Sequence, residues 1–285
     1  MDTTARLLIT CPDRPGIVAA ASNFLYSHGA NITALDQHST DPEGGIFFMR
    51  LEFQTPYLDI SKEALETAFE EVVAERFDMC WRISYAAELK KTAIMVSKSD
   101  HGLLELLWLW KQGKLPAKMT MVLGNHPELR PEVEAFGIPY HHVPVTEETR
   151  LESEARMLEL LEGQADLIVL ARYMRVLSRE FVEQYAKRII NIHHSFLPAF
   201  AGADPYRQAH ERGVKLIGAT AHYVVEELDA GPIIDQDTAR VSHRHSVSDL
   251  KDLGRDLERQ VLARAVKWHL EDRIIPYENK TIVFV

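Results

Sequence analysis

From Thr92 onward, strand-length apolar runs alternate with amphipathic segments, and no other feature of the chain limits its possible folds as strongly. The runs fall at residues 93–97, 119–123, 141–145, 166–170, 188–192 and 217–225, with helical spacing between them, as at 102–111 and 147–161. Strands that are apolar on both faces, separated by helices, predict a mostly parallel, doubly wound α/β sheet covered on both sides. Ligands bind such sheets beyond the carboxyl ends of the strands, so reactive groups are expected just after each one. A last helix over 248–270 carries Leu250, Leu253, Leu257, Val261, Leu262, Ala265 and Val266 at three-to-four spacing, which reads as core.

The first 85 residues follow another rhythm. Residues 5–11 read as a strand and 15–28 as a helix stopped by Gly29; 31–39 and 45–54 form a hairpin around Asp41-Pro42-Glu43-Gly44. An acidic helix over 61–75 and a strand over 77–85 complete a βαββαβ order, the ferredoxin-like arrangement. Residues 86–91 (AAELKK) read as a short polar joint, so the expected division is 1–85, a linker at 86–91, and 92–285. A length of 285 accommodates two such units.

Composition removes whole classes of function. At 46% hydrophobic and 26% charged, the chain can bury enough surface to offset its ordering entropy, which excludes disordered and low-complexity readings. No apolar run approaches the roughly 20 residues needed to cross a bilayer, and no secretory signal opens the sequence. Cys11 and Cys80 are too few for a disulfide framework or a zinc cluster, which suits a reducing cytoplasm. A net charge of −10 argues against non-specific nucleic-acid binding. The first 85 residues hold 13 acids and 6 bases, leaving 29 and 26 for the rest, so the larger part is nearly neutral.

The chemistry concentrates after two strands. Residues 189–198 (IINIHHSFLP) run from an apolar strand into Asn191, two histidines and Ser195; in an extended chain Asn191, His193 and Ser195 share one face and His194 takes the other. Residues 218–225 (GATAHYVV) lead into 226–236 (EELDAGPIIDQ), where Ala-Gly-Pro after Asp229 implies a tight loop beyond a parallel-type strand, able to face Asn191 and His193. Adjacent histidines at 141–142 and 193–194 diverge on strands, and neither a His-Glu-x-x-His segment nor a cysteine cluster accompanies them, so no metal is expected. Ser195 lacks the Gly-x-Ser-x-Gly elbow of a serine hydrolase. His222 reads as a buried or supporting histidine, His243 and His245 as surface loop.

Two resemblances sharpen these readings. Asp13-Arg14-Pro15-Gly16-Ile17, with a helix ending before Gly29-Ala30-Asn31-Ile32, resembles the ACT regulatory domain. That resemblance implies small-molecule sensing, commonly of amino acids, at interfaces between paired domains, hence a homodimer or homotetramer. Pro15 would preset the first helical turn, and the free N–H groups there would receive a carboxylate, with Asp13, Pro15, Gly16, Asn31 and Ile32 as candidate contacts.

Residues 191–236 resemble the catalytic core of the 10-formyltetrahydrofolate-dependent formyltransferase family: Asn-x-His-x-Ser-Phe-Leu-Pro, then Gly-x-Thr-x-His, then Asp-x-Gly-Pro. The resemblance implies Asn191, His193 and Asp229 as catalytic residues. Residues 171–177 (ARYMRVL) resemble the family's pterin-contacting loop, which implies Met174, Arg175 and Leu177, with Ser195, as substrate contacts. Arg172, Arg175, Arg207 and Lys215 lie in or near these loops and would suit an anionic folate tail. With an ACT-like domain in front, the whole chain resembles the family's deformylases, hydrolases of a formamide C–N bond. The implied reaction gives formate and tetrahydrofolate without a further cofactor, supplies formate for purine synthesis and balances the one-carbon pool. Glycine and methionine, both tied to that pool, are the expected effectors. The alternatives are formyl transfer to an amine and a sensor that only binds folate. Residues 97–103 (SKSDHGL) lack the Gly-rich loop that would cradle a phosphorylated acceptor, and Asp100 would repel one. Gly102 stands where the deformylase pattern usually has Cys.

Overall fold

The computed structural model describes residues 3–41, 43–198 and 205–285; Pro42 of the predicted turn lies outside them. Two compact units emerge, and they interleave in sequence: one is Met1–Leu89 with Glu271–Ile275 and Ile282–Val285, the other Lys90–Leu270 with Pro276–Thr281.

The first unit builds β1 (Thr4–Pro12), α1 (Ile17–Ser27), β2 (Asn31–Ser39), β3 (Ile46–Gln54) and α2 (Lys62–Phe69). A π-helical turn (Glu70–Ala74) continues α2 into α3 (Glu75–Phe77) before β4 (Cys80–Tyr85). The sheet order is β2-β3-β1-β4 with antiparallel neighbours, as the βαββαβ order requires. Alternate residues explain its core: Leu7 and Ile9 of β1 and Phe47, Met49, Leu51 and Phe53 of β3 are buried together with Phe24, Leu25, Leu65 and Phe69. The opposite face carries Arg6, Arg50 and Arg82, and it is where the C-terminal segment belongs. Buried Arg50 donates from Nε to the Asp272 carbonyl at 2.8 Å and from its guanidinium to the Glu271 carbonyl at 3.0 Å. The Asp272 carboxylate accepts from the Ser84 hydroxyl at 2.7 Å and pairs with Arg82 at 2.6 Å.

Two expectations about division therefore change. Residues 271–275 and 282–285 cluster with the first unit, not with the remainder of 92–285, because its arginines hold that segment. Residues 86–91 are no free joint: the first unit extends through Leu89, and Lys90 already begins the next strand.

The second unit runs β5 (Lys90–Val96), α4 (His101–Lys111), β6 (Ala117–Gly124), α5 (Arg130–Glu134), β7 (Tyr140–His142), α6 (Arg150–Leu161), β8 (Leu167–Ala171), α7 (Arg179–Gln184), β9 (Ile189–His193), α8 (Pro205–Glu211), β10 (Leu216–Tyr223), β11 (Ile233–Arg240) and α9 (Val247–Leu270). Chain order closes with a hairpin of β12 (Ile274–Tyr277) and β13 (Lys280–Val283). The seven-stranded sheet has the order β11-β10-β9-β8-β5-β6-β7. Its five strands from β9 to β7 are parallel; β10 runs antiparallel to β9, and β11 antiparallel to β10. The expectation that Asp229 follows a parallel-type strand is thus corrected: β10 runs against β9. Winding leaves β5 in opposite directions, to β6 and β7 on one side and β8 and β9 on the other, which opens a crevice at the carboxyl ends of β5 and β8. No described helix is long and apolar enough to cross a membrane.

Candidate active site

β9 delivers Asn191 and His193 at the end of a buried strand, and its pairing with β10 sets Asn191 opposite His222. The Asn191 side-chain amide donates to His222 Nε2 at 3.2 Å. On its other side, His222 Nδ1–H donates to the Tyr223 carbonyl at 2.9 Å, since a carbonyl can only accept. His222, expected to be a supporting histidine, therefore orients the Asn191 amide.

Asp229 reaches the same place from a loop that doubles back between β10 and β11. The Tyr223 N–H donates to the Pro232 carbonyl at 2.9 Å, and Asp229 itself sits in the left-handed region at φ +55°. Gly231 makes the reversal possible, because a Cβ there would lie 1.8 Å from the Tyr223 carbonyl oxygen. The result is an ion pair of 3.1 Å between His193 Nδ1 and Asp229 Oδ2, with His222 Nε2 3.6 Å from Oδ1. The hydrogen bond from His193 holds the Asp229 carboxyl well below the usual carboxylate range despite partial burial. His193 Nε2 is buried and has no protein partner. With Nδ1 turned to Asp229, that nitrogen is the ring atom left to meet a reacting group.

His194 differs sharply from its neighbour. Burial, then the nearby Arg172 guanidinium, push its pKa down to about 4, so it is neutral at pH 7.

Asn191, His193 and Asp229 line one cavity of about 350 Å³ together with residues 172–177 and 224–228. The predicted contacts Met174, Arg175 and Leu177 line it too, and Met174 and Val176 are 57% and 52% exposed at its wall, an apolar surface suited to a flat heterocycle. Ser195 is a correction. It is buried and does not line the cavity; its carbonyl accepts from the Thr220 hydroxyl at 2.9 Å. β9 ends at His193, so strand alternation no longer governs residue 195. Arg172 and Arg175 line the cavity, whereas Arg207 and Lys215 do not.

The second unit matches the formyl transferase family over residues 90–266, and residues 5–67 match the ACT domain. The formyltetrahydrofolate deformylase of Bacillus subtilis (strain 168) is 57% identical over 280 residues, which are 98% of this chain and 93% of that one. The chain belongs to the formyltetrahydrofolate deformylase family. The crystal structure of a formyltetrahydrofolate deformylase from Pseudomonas syringae pv. tomato DC3000 superposes with a TM-score of 0.95 at 49% identity, covering 99% of this chain and 94% of that one. By contrast, glycinamide ribonucleotide transformylase 1 of Symbiobacterium toebii covers 69% of this chain and 95% of its own, with a TM-score of 0.65 at 28% identity. Deformylase relatives thus extend over both units, while that transformylase accounts for about two thirds of the chain.

In this deformylase-family chain the ACT unit has its own cavity, lined by Asp13, Arg14, Gly16 and the start of α1, with Gln37, His38 and Ser39 of β2. Of the expected effector contacts, Asp13 and Gly16 line it, and the Asp13 carboxylate accepts from the Ser39 hydroxyl. Pro15, Asn31 and Ile32, the other expected contacts, lie outside its lining. α1 begins after Gly16, whose φ is +99°, so Pro15 precedes the helix and presets no turn of it. Asn31 is exposed on β2, and Ile32 packs against the unit's core.

One group of the deformylase-type unit escaped the sequence reading. Glu258 of α9 is 2% exposed and lies 3.5 Å from the guanidinium of the cavity residue Arg172. Its signal was present: it occupies the apolar face of the final helix, one residue after Leu257 and four before Leu262.

Proposed function

We propose that this chain hydrolyses 10-formyltetrahydrofolate to formate and tetrahydrofolate, with Asn191, His193 and Asp229 as the catalytic residues. The observation that carries the reading is the His193–Asp229 pair whose outer ring nitrogen is buried without a partner. Water attacks the N10-formyl carbon, a C–O bond forms, and negative charge develops on the formyl oxygen. His193, protonated on both nitrogens, gives Nε2–H to that oxygen, and the Asn191 amide supplies a second donor. Asp229 accepts from His193 Nδ1–H and orients the imidazole. Its depressed pKa makes it a poor base, which favours this role over deprotonating the water. The tetrahedral intermediate then breaks its C–N bond. One proton of the attacking water passes to N10 through a water, and the other is released as formic acid ionises.

The apolar loop with Met174 and Leu177 receives the pterin, and Arg175, which lines the same cavity, meets the anionic tail of the folate. Formate made this way supplies purine synthesis, and its release balances the one-carbon pool in the cytoplasm. The ACT unit senses an amino acid, glycine or methionine, in a homodimer or homotetramer. Calorimetry with either at millimolar concentration tests the effector; absence of heat with both overturns it.

The function itself is tested by incubating the protein with 10-formyltetrahydrofolate and no acceptor while following formate. Release that falls roughly 10²–10³-fold in Asn191→Ala is the expected result. Formyl loss that requires an added amine would make the protein a transferase instead.

A further inference from the structure

The loop over 172–177 leaves β8 through Arg172, whose φ of +62° is a left-handed conformation that a side chain with a Cβ adopts only at a cost. Something must hold it there, and the cavity it lines depends on the outcome. Three contacts do so. The Arg172 guanidinium faces Glu258 Oε2 at 3.5 Å, the Met174 N–H donates to Ser97 Oγ at 2.9 Å, and the Ser178 N–H donates to both oxygens of Glu154 at 3.1 and 3.2 Å. Glu154 and Glu258 are two of the three buried carboxylates among the described residues, and they stand at opposite ends of this one loop.

Glu258 is the more heavily provided for. The Tyr206 hydroxyl donates to its Oε1 at 2.9 Å and His101 Nε2 meets its Oε2 at 2.9 Å. Burial alone would push its pKa up, but the His101 hydrogen bond, the Arg172 and His101 charges and the Tyr206 hydroxyl together bring it below the usual range. α9 even omits a side chain on its behalf: a Cβ at Gly254, one turn before Glu258, would lie 1.9 Å from the Tyr206 oxygen. A buried carboxylate is seldom worth its desolvation to stability alone. Here it is paired with the cavity-lining Arg172.

We propose that Glu258 is a positioning residue for substrate binding: it holds Arg172 in the left-handed conformation and thereby presets the 172–177 loop for the folate heterocycle. This inference rests on reading the cavity as the folate site.

The test is a double-mutant cycle on the full chain with Glu258→Gln, Arg172→Gly and the pair together. Tetrahydrofolate binding is followed by fluorescence, and KM and kcat by formate release. Glu258→Gln is expected to raise both Kd and KM about 10-fold while kcat stays within about 3-fold. In the Arg172→Gly background, where glycine adopts φ +62° freely, the same change is expected to cost under about 2-fold. Equal cost in both backgrounds, or an unchanged Kd in Glu258→Gln, overturns the proposal. Should Glu258→Gln not fold, Tyr206→Phe removes one donor from the same carboxylate: a KM raised about 3-fold only when Arg172 is present supports the proposal, and an unchanged KM overturns it. A wild-type chain that binds tetrahydrofolate without releasing formate overturns the hydrolase reading but leaves the binding arm of the cycle decisive. Wild-type protein that binds no tetrahydrofolate overturns both.

Discussion

His193 and His194 are consecutive, and what separates them is their company. His193 has a carboxylate on Nδ1 and an unpartnered Nε2, whereas His194 is buried beside the Arg172 guanidinium, its ring centroid 6.1 Å from that of Tyr206. Burial and Arg172 lower the His194 pKa from 6.5 to about 4, so between those values the unfolded chain binds a proton that the folded chain refuses. His194 therefore contributes stability that is complete above pH 6.5 and lost as pH falls toward 4. Asp229, whose pKa is also depressed, contributes above the ordinary carboxylate value of 3.8, and that contribution is lost only at lower pH, so the two effects separate. We predict that His194→Asn flattens the decline of urea stability between pH 7 and pH 4.5; an equal decline in wild type and variant would remove His194 as its source.

The strand and the loop share the work of assembling the trio. β9 sets Asn191 and His193 two residues apart on one face, and β10 places His222 opposite Asn191. Only the 224–232 reversal carries Asp229 to them. A methyl group at Gly231 would strike backbone, which cannot rotate away. Gly231→Ala is therefore expected to displace Asp229 and lower kcat at least about 100-fold, since misplacement by about 1 Å suffices for that, with far-UV circular dichroism retained. A kcat within 3-fold of wild type would mean the loop places Asp229 some other way. β11 was illegible for a related reason. Its sequence IIDQDTAR shows no apolar alternation, and its acids are met by Arg264 of α9, at 2.7 Å from Asp235 and 3.0 Å from Asp237.

Across the whole chain, the C-terminal segment belongs with the unit that begins it. Asp272 is buried among Arg6, Arg82 and Ser84, and its carbonyl serves Arg50. Removing that carboxylate takes the acceptor from the Ser84 hydroxyl and the pairing partner from Arg82, so Asp272→Ala is expected to cost about 2 kcal/mol in denaturant unfolding. Asp59→Ala, which breaks an exposed pair with His28 at 3.0 Å, should stay within about 1 kcal/mol. Equal costs would mean that the arginine face does not anchor the segment.

Periodicity made the ACT-like unit, the mostly parallel sheet and the final helix readable from the residues, because each buries one face or both at a regular interval. Asn191, His193 and Asp229 were readable because their neighbours form short motifs within 46 residues. The direction of β10, the position of Ser195, the holding of Arg172 by Glu258 and the allegiance of Asp272 were not. Each depends on a partner at long range, as with Arg50 and Asp272, 222 residues apart. A hydrophobic pattern records that a face is covered and carries no mark of which segment covers it, so only the folded chain brings those partners together.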